Sequence, residues 1–173
     1  MHKPLLQRIL NRVLGKLARA LPGATSLRPM LHRLRGVKIS GTVFIGDDVY
    51  IENEFPECVT IEDGAQICLR STVIAHTRGC GQIILEKNVF IGACCTIIAA
   101  DGATLRIGEG AVVGSGAVIS ADVPARTLVA PERTRAFAQV TVPFTMGTGY
   151  DKFRRGLRPL VSNQKKVPAE SRK

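Results

Sequence analysis

The sequence predicts an all-β solenoid: a chain wound into a triangular spiral with parallel sheets on three faces, preceded by one amphipathic helix and followed by a basic extension. Three observations predict it. Aliphatic residues recur every six positions through the middle of the chain, aromatic residues are scarce, and charge divides the chain into three parts. Of 173 residues, 45% are hydrophobic but only 5% aromatic, with 17 Gly, two Tyr and no Trp. Such a chain must build its core from small and branched side chains, and it is long enough for one domain with a real interior. Its apolar content argues against disorder.

The first element lies in residues 1–36, an arm rich in basic residues. Lys and Arg occur nine times in residues 1–38, where there is no acid. Leu6, Leu10, Val13, Leu14, Leu17 and Leu21 recur at helical spacing, while Arg8, Arg12, Lys16 and Arg19 form a basic stripe. Pro4 suits the first turn of this helix and Pro22-Gly23 ends it. Two uses fit the leucine stripe: covering the open end of the solenoid or a subunit surface, or lying in the interface of an anionic membrane. Capping or subunit packing is the favoured reading. His2 and His32 read as surface residues of this arm.

The repeat occupies residues 37–130. Ile39 and Ile45 begin two six-residue units; Ile61, Ile67, Val73, Leu85, Ile91 and Ile97 follow in one phase, broken only by Gly79; after a shift, Ile107, Val113 and Ile119 continue. The fifth position is small or β-branched, as at Val43, Val49, Ala65, Ser71, Thr77, Val89, Cys95, Ala111, Ala117 and Val123, and the second is often Gly, as at Gly46, Gly92, Gly108 and Gly114. A period of six fits neither a helix nor a simple alternating strand. It fits a short strand and a corner, three of which close a coil of about 18 residues that stacks on the next. A β-sandwich expects turn signals every 8 to 12 residues instead.

The period is interrupted at residues 51–60, 76–82 and 97–106, where extra residues must leave the coil as loops. The middle interruption holds His76, the only His of the repeat, at an outward-facing place. That setting makes it the first candidate for chemistry. Residues 131–173 close the chain as a basic extension, loosely ordered from about Met146, since 11 basic residues stand against three acids after residue 125 and apolar residues are few.

The units IGDDVY from Ile45, IGACCT from Ile91 and IGEGAVVGSGAVIS from Ile107 resemble the hexapeptide repeat of the left-handed parallel β-helix acyltransferases. The segments STVIAHTRG and ILEKNVFIGA are similar to the active-site coil of the sugar and polysaccharide O-acetyltransferases in that family. What the resemblance implies is an acetyl-CoA-dependent O-acetyltransferase acting on a sugar hydroxyl in polysaccharide or glycoconjugate synthesis, working as a homotrimer with sites between subunits. It implies His76 as general base and the Ala93 N–H as oxyanion donor, with Ser115 and Ser120 along the pantetheine arm and Arg135, or Arg133, at a CoA phosphate. Glu52 or Asn53 corresponds to a polar residue that orients the acceptor or His76. The chain departs from the family where VAPERTR from Val129 replaces VAGNPAK and where Ala121 replaces a common Lys.

Other function classes fit less well. The zinc carbonic anhydrases of this fold need three His ligands, which one His per repeat region does not supply. A non-catalytic scaffold, or an N-acyltransferase of an amino sugar, stands as the alternative. The arms lack a nucleic-acid motif or an aromatic stacking series, so nucleic acid is not expected as a partner. The five cysteines, Cys58, Cys68, Cys80, Cys94 and Cys95, are odd in number and lack metal-site spacing, and read as unpaired thiols in a cytoplasmic protein with no metal. No apolar run approaches the roughly 20 residues of a membrane span. Contact with the inner membrane face through the N-terminal helix, toward an anionic or lipid-linked acceptor, is the narrower expectation.

Overall fold

The structure is a computed structural model and describes residues 4–76, 79–132 and 134–160. It separates into two units, Met1–Pro131 and Glu132–Lys173. In the first, three parallel sheets form the faces of a solenoid. One stacks Lys38–Ile39, Val59–Ile61, Gln82–Leu85 and Thr104–Ile107; the second stacks Phe44–Ile45, Gln66–Ile67, Phe90–Ile91, Val112–Val113 and Leu128–Val129; the third stacks Tyr50–Ile51, Thr72–Ile74, Thr96–Ile98 and Val118–Ile119. Each aliphatic first position pairs with its counterpart one coil on: Ile45 with Ile67, Ile67 with Ile91, Ile91 with Val113. Between them these columns and the small fifth positions make a continuous buried core. Dense packing of interlocking small side chains, rather than aromatic bulk, fills it. Thr77 of the fifth-position series lies outside the described residues.

Register explains both the period and its breaks. Ile39 pairs with Ile61, Ile61 with Leu85 and Leu85 with Ile107, spacings of 22, 24 and 22 residues. A plain coil needs about 18, so each turn carries four or six extra residues. Six extra residues leave a six-residue phase intact, and this is why the series runs unbroken through position 79. Gly79 is not a coil position at all: it sits in a loop, where an added Cβ would stand 1.8 Å from Asp101 Oδ1 of the next loop.

The corner between the second and third faces repeats a regular turn. Asp48, Arg70, Cys94 and Gly116 occupy left-handed backbone conformations there, with φ of 54°, 55°, 57° and 77°. An added Cβ at Gly92 would meet Ser115 N at 2.6 Å, so successive coils touch backbone to backbone.

Two helices close the N-terminal end. The helix α1 (Leu5–Ala20) starts at Pro4 and gives way to extended backbone at Leu21, and Gly23 turns the chain with φ 97°. The short α2 (Leu27–Leu34) buries Arg28, Pro29, Leu31 and His32. Stacked coils leave the first coil's carbonyls without partners. Three arginines from this segment supply donors, one to each face. Arg33 Nε donates to Ile39 O at 3.1 Å, Arg28 Nη1 to Ile45 O at 3.1 Å, and Arg35 Nη2 to Ile51 O. The Ile45 N–H is met in turn by Ala24 O at 2.8 Å.

Three expectations for the arms are corrected here. The leucine stripe does not cover the coil end: α1 docks through Asn11, Gly15 and Ala18, while Leu6, Leu10, Val13 and Leu17 are exposed. Small residues on the docking face allow the helix to approach closely, and at Gly15 an added Cβ would stand 2.7 Å from Asn53 Oδ1. His32 is not a surface residue but 1% exposed; Arg35 Nε donates to its Nδ1 at 3.0 Å. Burial first, and the Arg35 charge second, push this imidazole down to about 3, so it is neutral and its buried Nε2 lacks a partner among the described residues. His2 lies outside the described residues.

The third correction concerns the C-terminal unit, which has regular structure between Met146 and Leu160; residues 161–173 lie outside the described residues. Ala138–Val140 pairs antiparallel with Leu157–Pro159, and the short α3 (Tyr150–Arg155) packs its rings against Phe144, with Phe144 and Phe153 centroids 4.9 Å apart. Four of the chain's eight aromatic residues lie in this unit, and three of them, Phe144, Tyr150 and Phe153, pack on one another.

Candidate functional site

All three interruptions leave the solenoid at one corner, between the end of the third face and the start of the first. Residues 52–58, 75–81 and 99–103 connect Ile51 to Val59, Ile74 to Gln82, and Ile98 to Thr104. Stacking therefore brings three loops, one from each of three coils, into a single cluster.

The first two loops meet through Glu52 and His76. Glu52 is 1% exposed, and its carboxylate accepts hydrogen bonds from three backbone N–H groups. Oε1 accepts from Glu54 N–H at 2.8 Å and Phe55 N–H at 3.4 Å, and Oε2 accepts from Ala75 N–H at 3.2 Å. Oε2 also lies 3.1 Å from His76 Nδ1. A carboxylate is acceptor only, so Nδ1 carries the proton and donates, and Nε2 is left with its lone pair. Nε2 has no protein partner among the described residues. Phe55 holds the ring from the side in an edge-to-face contact, centroids 5.2 Å apart. Behind Glu52, Arg35 donates to Glu52 O at 2.7 Å and to Asn53 Oδ1 at 3.0 Å. The guanidinium thus fixes the first loop's backbone and offsets the buried carboxylate's charge.

His76, one-third exposed at its side chain, lines a cavity of about 450 Å³ whose other walls include Arg12, Lys16, Arg19, Tyr50 and Asn53. That volume suits a small-molecule ligand. The Tyr50 hydroxyl is pushed up by burial and by the Glu52 charge, which keeps it protonated as a donor.

The other sequence candidates are dispersed. Ala93 and Ser115 lie at the regular corner between the second and third faces, where Ala93 N–H donates to Ser115 Oγ at 3.1 Å. Ser120 follows the third face on the fourth coil, exposed on the same corner as His76 but two coils further on. Arg135 is exposed in the separate C-terminal unit, and Arg133 lies outside the described residues. Within the first unit the chain thus brings Glu52 and His76 together, sets Asn53 beside them, and leaves Ala93 and Ser115 at another corner. All five cysteines are free. Burial and the neighbouring Cys80 thiol push Cys58 up to about 12, and burial raises Cys95, so neither is a ready nucleophile. Among the described residues no group of three or more His, Cys, Asp and Glu can hold a metal ion, and no helix is long and apolar enough to cross a membrane.

Reading the sequence alone missed Arg35 and Lys16. The available signal was the arm's nine basic residues with no acid among them, facing a central segment with 11 acids and four basic residues.

A parallel solenoid of hexapeptide units, with its one repeat-region imidazole beside a cavity at the looped corner, defines the class as a left-handed parallel β-helix. No family model matches the chain. The chain is 34% identical over 110 residues to the bifunctional protein GlmU of Syntrophomonas wolfei subsp. wolfei, 59% of this chain but only 23% of that one. It is 28% identical over 130 residues to YvoF of Bacillus subtilis (strain 168), an acetyltransferase by name, covering 70% of this chain and 71% of YvoF. The fold matches a hexapeptide-repeat-containing acetyltransferase from Vibrio cholerae O1 biovar eltor solved with acetyl-coenzyme A, with a TM-score of 0.54 at 16% identity over 73% of this chain and 82% of that one. The chain is thus similar in sequence and fold to hexapeptide-repeat acetyltransferases, and it spans only 23% of the GlmU chain it matches.

Proposed function

We propose that the protein is an acetyl-CoA-dependent O-acetyltransferase acting on a sugar hydroxyl, with His76 as general base. The observation that carries this reading is the Glu52–His76 pair, which fixes the ring by Nδ1 and leaves Nε2 without a partner among the described residues at the edge of a cavity. Nε2 takes the proton of the acceptor hydroxyl as its oxygen attacks the thioester carbonyl. The tetrahedral adduct then expels the CoA sulfur, which takes that proton from the imidazolium, and the products are an acetyl ester and free CoA. Glu52 stabilises the imidazolium between the two steps without accepting the proton itself. No cysteine is needed.

The oxyanion requires a donor. Ala93 N–H is assigned to it, exchanging its bond to Ser115 Oγ for the oxyanion, with Ser115 and Ser120 along the pantetheine arm and Arg135 at a CoA phosphate. Because Ala93 and His76 stand at different corners of one chain, the assignment requires a second copy, and the reading therefore includes a homotrimer with sites between neighbours. The exposed leucines of α1 support peripheral contact with an anionic membrane surface.

Replacing His76 by Ala tests this directly. Transfer from acetyl-CoA to a sugar acceptor is expected to fall by at least about a hundredfold, with the melting temperature and its rise on adding acetyl-CoA unchanged. Undiminished transfer overturns the base assignment. Indifference of the intact protein to acetyl-CoA overturns the enzyme reading in favour of a scaffold.

A further inference from the structure

The wall of the cavity opposite His76 is cationic, and its charges are unequally matched. Arg8 Nε and Arg12 Nη2 both pair with Glu54, at 3.0 and 2.7 Å, so two guanidinium groups share one carboxylate. Arg19 Nε donates to Asp48 at 2.8 Å. Lys16 has no carboxylate partner among the described residues, although it stands one helical turn from Arg12 and Arg19 on the same flank of α1. Glu52, the remaining acid, is matched from behind by Arg35. The flank therefore holds four cations against two acids, and three of the cations, Arg12, Lys16 and Arg19, line the cavities with Glu54 and Asp48.

These residues line more than one hollow. A second cavity of about 370 Å³, bounded by Lys16, Arg19, Ala20 and Asp48, shares Lys16 and Arg19 with the first. The two form a groove running from His76 along the helix, with Lys16 at the junction. An exposed basic helix flank is ordinarily just solvated. Here the flank is pinned by three ion pairs to two acids with Lys16 left over, and the excess charge faces a cavity that the imidazole also lines.

We propose that this groove is the acceptor's anionic subsite: it takes a phosphate carried by the sugar to be acetylated, with Lys16 as its main contact and the spare N–H groups of Arg12 and Arg19 beside it. Charge-assisted bonds to a phosphate supply the affinity, and the groove sets the sugar hydroxyl toward His76 Nε2. This rests on the reading of His76 as base. The phosphate has two sources, a soluble sugar phosphate or nucleotide and a lipid carrier, and both present the same anion.

Calorimetric titration of the full chain with glucose 1-phosphate, with glucose as the uncharged control, tests the subsite. Lys16→Ala is expected to weaken glucose 1-phosphate at least about tenfold, Lys16→Arg to restore most of it, and added salt to weaken it in the intact protein. Lys87→Ala, which removes an equal charge at another corner, should leave it unchanged. Flotation with phosphatidylcholine vesicles, with and without undecaprenyl phosphate, separates the sources. Lys16-dependent binding of glucose 1-phosphate assigns the soluble form; Lys16-dependent flotation without it assigns the carrier. Binding of neither probe, or equal binding by wild type and Lys16→Ala, overturns the proposal. So does a Lys16→Ala effect confined to acetyl-CoA, which would give the groove to the donor's phosphates. If His76→Ala keeps its activity while Lys16-dependent binding persists, the base assignment fails and the subsite stands.

Discussion

Two corners of the same spiral have opposite characters. Between the second and third faces the chain repeats one tight turn, coil after coil, with a left-handed residue each time and glycine packed against the next coil's backbone. Between the third and first faces every coil but the last spills a loop of five to seven residues. The tight corner sets the spacing of the coils. The loose corner, relieved of that duty, collects a buried carboxylate, an imidazole and a cavity. Regularity on one edge is what makes irregularity on another affordable and reproducible in position.

The sharpest way to break this contrast is to crowd the tight corner. Gly92→Val would place side-chain atoms inside the 2.6 Å approach to Ser115 N, and overpacking against backbone should cost about 3 kcal/mol. Chemical denaturation would show the loss, and a change under about 1 kcal/mol would mean that the coils are not held apart there.

A smaller effect tests the sealed end on which both corners stand. His32 is pushed down to about 3 by burial and by Arg35, whereas in the unfolded chain it takes a proton near its ordinary value of about 6.5. Its folded-state value is depressed, so its contribution to stability is complete above about pH 6.5 and is lost as the pH falls toward 3. Between pH 6.5 and 5 the loss should reach about 2 kcal/mol. Thermal melts across that range, flattened in His32→Gln, are the check; equal slopes in both proteins would contradict it.

The smallest effect belongs to the loose corner. Glu52→Gln keeps an acceptor for the loop but removes the charge facing the imidazolium, and kcat should fall about tenfold with the KM for acetyl-CoA unchanged. A fall in stability with kcat intact would reduce Glu52 to a brace for its loop.

The fold was readable because burial in a narrow spiral leaves a strict mark: Ile45, Ile67 and Ile91 must be aliphatic, Ala65 and Ala111 must be small, and all are buried. The loop positions were readable as breaks in that mark, and His76 as the imidazole in one of them. Other features had no one-dimensional signal. A loop of six extra residues keeps the phase and passes for a coil, so Gly79 looked like a defective repeat unit. Amphipathicity points leucine inward, yet α1 docks by Asn11, Gly15 and Ala18, because the space above Arg35 and Asn53 admits only small side chains. Whether Glu52 or Asn53 meets His76 depends on which way each points after the coil ends, and neighbouring residues in a loop carry no periodicity to decide it. The order in Tyr150–Arg155 came from three rings too widely spaced in sequence to read as a cluster.

The arginine cap of the first coil has a consequence beyond the single molecule. Parallel strands that end in open carbonyls are templates, and an unfinished spiral invites another chain's amides to continue it into a fibre. With one guanidinium closing each of the three rows, growth by strand addition has no place to start at that end. Arg28, Arg33 and Arg35, which in a charge count look available to any polyanion, are instead a terminator written into the chain just ahead of the repeat it protects.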